Sequence, residues 1–372
     1  MLSDAQAQTT PQYTFTKVAD SVEDGFDPNS FGCAAINTPG DIAFRAGRLT
    51  PDGFNTIPGI YRTNADGTLT IIAEDPKRFR TIGFNPSIND SGQVSFAARL
   101  DAVDKATGEN IEVILRGDGS KKLTTIASTA DEFNFFGFDT SINNSGEVAF
   151  KAELDEEFGF DEGLFSGSGG KKSGVTTHYL TSTSQFDGSD SRPSINDLGD
   201  IAFDESINFD SGIFVGRDGD FQTIAGPDPD VFVQEPVLND EGTVAFYRSF
   251  FDGTTQVVEV VTGNGGPLTT VADTRGEFAS FGFRPPSLNN EGDVAFLATL
   301  DDGTSGIFVG SDSIADRVIT TGDTLDGSTV QNLTFCEEGL SDSGELAFVA
   351  QLEDADTPDG FRMAVFRATP VP

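Results

Sequence analysis

The chain has 372 residues, with 23 Lys and Arg against 60 Asp and Glu and a formal net charge of −37. That balance repels nucleic-acid phosphates and anionic lipid, so neither is expected as a partner. No apolar run approaches the roughly 18 residues that cross a bilayer as a helix, so no transmembrane segment is expected.

Residues 1–12 read as a disordered tail or the remnant of a secretory signal, because Ala5-Gln6-Ala7 resembles the small-residue end of such a signal. Residues 13–372 read as one domain. Tyr13 to Asp20 matches Leu69 to Glu74 and Leu268 to Asp273, each the last strand of a repeat, yet it precedes the first repeat.

The repeat begins at Ile36 to Phe44 and returns at Ile88 to Phe96, Ile142 to Phe150, Ile195 to Phe203, Leu238 to Phe246, Leu288 to Phe296 and Leu340 to Phe348. Its shared glycines, Gly40, Gly92, Gly146, Gly199, Gly242, Gly292 and Gly344, are spaced by 52, 54, 53, 43, 50 and 52 residues. A period near 40 to 50 residues with four strand-like segments per unit marks a propeller blade.

Each copy reads as two strands joined by a tight turn. Asn143 can bond the backbone two residues on, and Gly146 can take the positive φ that closes the hairpin. After the turn, Val148 and Phe150 point to one side of the strand while Ala149 and Lys151 point to the other. Stacked sheets would then bury Phe from one blade against Ala from the next. The expected fold is therefore all-β, a seven-bladed β-propeller of four-stranded blades. The last repeat lacks a fourth strand, so residues 13–20 are expected to complete it and close the ring.

Two faces follow from this strand order. One carries the Asn-x-x-Gly turns and the turns before the fourth strands, where Lys121, Lys122, Lys171 and Lys172 lie; the other carries acidic loops such as Asp155, Glu156, Glu157, Asp301 and Asp302. Around the mouth of the acidic face, Asp27, Asp131, Glu132, Glu337 and Glu338 are the candidate ligand-binding carboxylates. Crowded carboxylates repel, and a divalent cation with oxygen ligands relieves that cost, so calcium is the candidate cofactor. Asp354, Asp356 and Asp359 form a second candidate metal loop, although Pro358 stands where a calcium loop has its third ligand. Cys33 and Cys336 fall at nearly equivalent positions of the first and last blades, which a closed ring makes neighbours. They are expected to form a disulfide, and with it an oxidising compartment.

Nucleophilic catalysis needs a base, and the single histidine, His178, is expected to be structural in an outer strand. No catalytic residue is assigned.

The seven copies resemble those of bacterial tandem-repeat proteins named for an Asn-x-x-Gly-x-x-Ala-Phe motif, with Ser95 replacing Ala in the second copy and Ser341 replacing Asn in the seventh. The resemblance implies export and attachment to the cell surface through varied C-terminal anchors. The ending Ala368-Thr369-Pro370-Val371-Pro372 resembles the opening of a Pro-Glu-Pro sorting signal.

The chain is thus read as a secreted or surface-displayed binding or structural module of a bacterium. Its acidic face would take a divalent cation or an extracellular polymer, another protein or a second copy of itself. The alternative is a carboxylate-dependent glycoside hydrolase or lyase of extracellular polysaccharide, for which the absence of Trp and the presence of only 4 Tyr leave few sugar platforms. A third reading, adaptation to salt, predicts excess charge on both faces.

Overall fold

Alternating large and small side chains give every sheet two apolar faces, so each blade is stable only between two neighbours. A computed structural model describes residues 13–50, 55–105, 107–120, 122–155, 161–170, 174–188 and 192–371. The proposed tail 1–12, Lys121, Lys171, Lys172, Glu156 and Glu157 lie outside the described residues. Seven antiparallel sheets, one for each copy of the repeat, are arranged in a ring as a β-propeller. Blades are numbered here by the copy they contain.

Blade 3 shows the pattern, with strands Phe133–Ile142, Val148–Leu154, Glu162–Gly167 and Val175–Leu180 in that order. In its turn, Asn143 Oδ1 accepts the backbone N–H of Ser145 at 3.1 Å and of Glu147 at 3.0 Å, and Gly146 has φ +82°. In blades 2 and 6 the first strand is split, Phe79–Ile82 from Ser87–Ile88 and Phe278–Phe281 from Ser287–Leu288. Pro86, Pro285 and Pro286 fall in these breaks, where a residue without an N–H cannot continue the ladder.

The core is divided into seven clusters, one at each junction between blades. Ala97 and Ile114 of blade 2 meet Phe150 and Phe165 of blade 3, and Ala149 and Leu164 of blade 3 meet Phe203 and Phe214 of blade 4. The last junction joins Ala347, Val349 and Val365 of blade 7 to Phe44 and Tyr61 of blade 1. The expected contact of Phe with Ala thus runs around the whole ring. Where Ser95 replaces Ala, its hydroxyl is hydrogen-bonded to Thr140 Oγ1 at 2.9 Å, so the buried polar atom is satisfied.

Blade 7 is built from both ends of the chain. Tyr13–Asp20 pairs antiparallel with Phe361–Pro370, from Tyr13 opposite Pro370 to Asp20 opposite Ala364. Cys33 and Cys336 form a disulfide across the same seam, with Cα atoms 5.9 Å apart and a separation of 303 positions in sequence.

Candidate functional site

The inner strands place three layers of polar groups around the axis. On the turn face, each motif asparagine donates its side-chain N–H to the backbone carbonyl of the next blade's equivalent residue. The bonds run from Asn37 to Asn89, then to Asn143, Asn196, Asn239, Asn289 and Ser341, at 2.9 to 3.3 Å. Ser341 has no amide, so the bond that would return to Asn37 is missing from this series. The following residue forms a second ladder, in which its backbone N–H donates to the next blade's Asp or Asn side chain, as from Thr38 to Asp90 at 2.9 Å and from Asn144 to Asp197 at 2.7 Å. These side chains rim a well of about 160 Å³ floored by Ile36, Ile88, Ile142, Ile195, Leu238, Leu288 and Leu340.

Carboxylates therefore stand on the turn face as well, which departs from the one-sided charge expected from sequence. Asp90, Asp197, Asp240 and Asp342 each accept a neighbouring backbone N–H. They tie turn to turn and are not a free acidic surface.

Below the well, hydroxyls of Ser87, Ser141, Ser194 and Ser287 accept the N–H of Ile142, Ile195, Leu238 and Leu340 in the next blade. Blade 1 has Ala35 at this position, blade 5 has Val237 and blade 7 has Gly339, none of which offers a hydroxyl. Glu338 fills the gaps left by blades 7 and 1: its backbone oxygen accepts Ile36 N–H at 2.8 Å, and its carboxyl accepts Ile88 N–H at 3.0 Å and the Ser87 hydroxyl. Burial pushes this carboxyl up to about 8.

Toward the opposite face the axis is crossed by a charged network. Arg192 Nε lies 2.9 Å from Asp139 and 3.8 Å from Glu235, and its Nη1 lies 3.6 Å from Glu337. Arg284 donates to Asn85 Oδ1 at 2.9 Å, and Asn85 donates to Asp139. Burial pushes Glu235 up to about 7 despite Arg192, and it also raises Glu337. For Arg192, burial opposes the charge, but Glu337, Asp139 and Glu235 outweigh it and raise its pKa. Three buried atoms here, Arg192 Nη1, Glu235 Oε2 and Glu337 Oε2, make no hydrogen bond. One guanidinium is thus shared by three carboxylates.

Residues 73–369 match a family described as a family of unknown function (DUF7453). The chain belongs to that family. No curated protein matches the sequence. Among solved structures, it is similar to the Pyrococcus horikoshii acylaminoacyl peptidase at 10% identity and TM-score 0.53, covering 92% of this chain and 52% of that one. It is also similar to prolyl oligopeptidase B from Galerina marginata at 12% identity and TM-score 0.51, covering 91% and 47%. The chain spans about half the length of these two proteins, and at such identities the likeness shows the fold alone.

The sequence candidates are scattered in this family member. Glu337 and Glu338 lie at the axis. Asp27 caps a short 3-10 turn, accepting Asn29 N–H at 2.9 Å and the Thr56 hydroxyl at 2.5 Å. Asp131 and Glu132 lie outside the axis, lining a groove between blades 2 and 3. Asp354 accepts Asp356 N–H at 3.0 Å within a hairpin and has Arg362 Nε at 3.8 Å, while Asp356 and Asp359 are exposed. Among the described residues, one trio of ligand-type atoms lies within 4.8 Å, that of Cys33, Cys336 and Glu337, and both its sulfurs are in the disulfide. Sequence reasoning missed Asp139, Arg192, Glu235 and Arg284. Their shared place, three or four residues before the motif's Ile or Leu, was the signal available.

His178 sits in the fourth strand of blade 3, in a row with Ser166 and Asp218 that outwardly resembles a nucleophilic triad. The hydrogen bonds run the wrong way. His178 Nδ1 accepts Asp218 N–H at 3.1 Å, so in the neutral ring Nε2 carries the proton and donates to Ser166 Oγ at 2.9 Å. Ser166 in turn donates to Glu147 and is wholly buried. A protonated Nε2 cannot take the serine proton. Burial lowers the His178 pKa and keeps the ring neutral.

Proposed function

We propose that this protein is an exported binding module of the bacterial cell surface that takes a cation, calcium first, through the carboxylates of its second face. The observation that carries this reading is the axial cluster in which Asp139, Glu235 and Glu337 share Arg192. A carboxylate that burial drives toward its neutral form is stabilised by added positive charge nearby. Calcium on the second face would also bridge to an extracellular polymer or a protein, and the hairpin at Asp354, Asp356 and Asp359 offers it a further acidic loop. The disulfide supports an oxidising compartment. The six Asn-x-x-Gly turns, with Ser341 beginning the seventh, support the likeness to surface-anchored tandem-repeat proteins.

Thermal unfolding at matched ionic strength in calcium, magnesium or sodium tests the cation reading. Sites saturate and distinguish calcium from magnesium, whereas screening follows ionic strength alone. Calcium at 100 times its dissociation constant should add about 2.7 kcal/mol to stability. Identical midpoints in the three salts would reduce the acidic face to a charged surface and overturn the proposal.

A further inference from the structure

The outer rim between blades 4 and 5 holds a groove of about 330 Å³ lined by Phe209, Phe232, Phe250 and Phe251. Phe209 is 92% exposed, Phe251 63% and Phe232 53%. Phe209 also occupies the second central position of a two-residue hairpin, after Asn208, with φ +69° following φ +55°. That turn type favours Asn-Gly, because only glycine takes the second positive φ without steric cost. A bulky aromatic in a left-handed conformation, with its ring in water, works against folding twice over. Neither its packing nor its backbone explains why it is there.

We propose that this groove is a docking site for an extended segment of a partner protein that carries Arg or Lys beside an apolar side chain. Asp210, Asp228 and Asp230 line the groove with the four rings, so it offers apolar faces edged by negative charge. Arg248 already lies over the Phe250 ring, 4.8 Å from its centre, which shows a cation held on an aromatic face at this place. A second copy is a poor occupant, because each chain carries a net charge of −37. A neutral glycan could hydrogen-bond the carboxylates but would gain no charge attraction from them. This inference does not rest on the cation reading, since the groove lies away from the axis.

The test uses the oxidised full chain and a display library of random dodecapeptides, with the recovered peptides titrated against wild type and Phe209→Gly. The expected peptides combine basic and apolar residues. They bind Phe209→Gly about 10-fold or more weakly and lose affinity as salt is raised. Phe209→Gly should at the same time melt higher than wild type, by about 2 °C, because the strained residue is gone. An empty selection, peptides without basic residues, or equal binding to both proteins would overturn the proposal. So would a lower melting point for Phe209→Gly, or a neutral β-glucan bound in place of peptides with the same dependence on Phe209. Each result stands apart from the outcome of the calcium experiment.

Discussion

At the scale of single residues, Glu338 shows how a side chain can be read as a surface ligand and turn out to be a structural strut. It lies in a run of acids after Cys336, and nothing local distinguishes it from Glu337. Its partners, Ser87 and Ile88, come from blade 2, so its role depends on ring geometry that no local pattern encodes. Its folded pKa of about 8 is above the ordinary 4.5. The stability it contributes is therefore fully present below about 4.5 and is lost as pH rises through about 8. Glu338→Gln imitates the protonated acid. Its melting point minus that of wild type should grow as pH rises from about 4.5 to about 8, and a constant difference would contradict the assignment. Ser341 offers a gain of stability. Ser341→Asn restores the missing amide toward Asn37 and should add about 1 kcal/mol in denaturant unfolding, whereas Asn196→Ala, which removes an existing link, should cost about 1 to 3 kcal/mol. Loss of stability in Ser341→Asn would contradict the ladder.

At the scale of elements, the strand pattern was legible because its physics is local. A period of two fixes which side chains share a face, so Ala-Phe in six copies and Ser-Phe in the second predicted the seven junction clusters. The breaks in the first strands of blades 2 and 6 were not foreseen, although Pro86, Pro285 and Pro286 mark them. Phe150→Ala should cost about 3 to 5 kcal/mol in denaturant unfolding, because the ring contacts Phe133, Phe136 and Phe165 at centroid distances of 5.7 to 5.8 Å. Removal of residues 13–20 should be more damaging. It strips the edge partner from Phe361–Pro370 and leaves an unpaired strand. A peptide of the missing sequence, added back, should restore the melting transition. A truncated chain that melts like the full one would contradict closure by this strand.

At the scale of the whole molecule, the ring has one seam, between blades 7 and 1, where the chain's two ends meet and where Ser341 leaves the asparagine ladder unbonded. The same seam holds the N-terminal strand, Glu338 and the Cys33–Cys336 bond. A link between positions 303 apart restricts the unfolded chain by about 6 kcal/mol in the loop-entropy treatment. Stability of that kind exists only where disulfides persist, which joins the architecture to the proposal of export. The thiol state of the protein in its own cells tests that connection most directly, with free thiols alkylated before lysis and the peptides read by mass spectrometry. The account predicts Cys33 and Cys336 recovered as one linked, unalkylated pair. Both thiols alkylated in properly folded protein would contradict it.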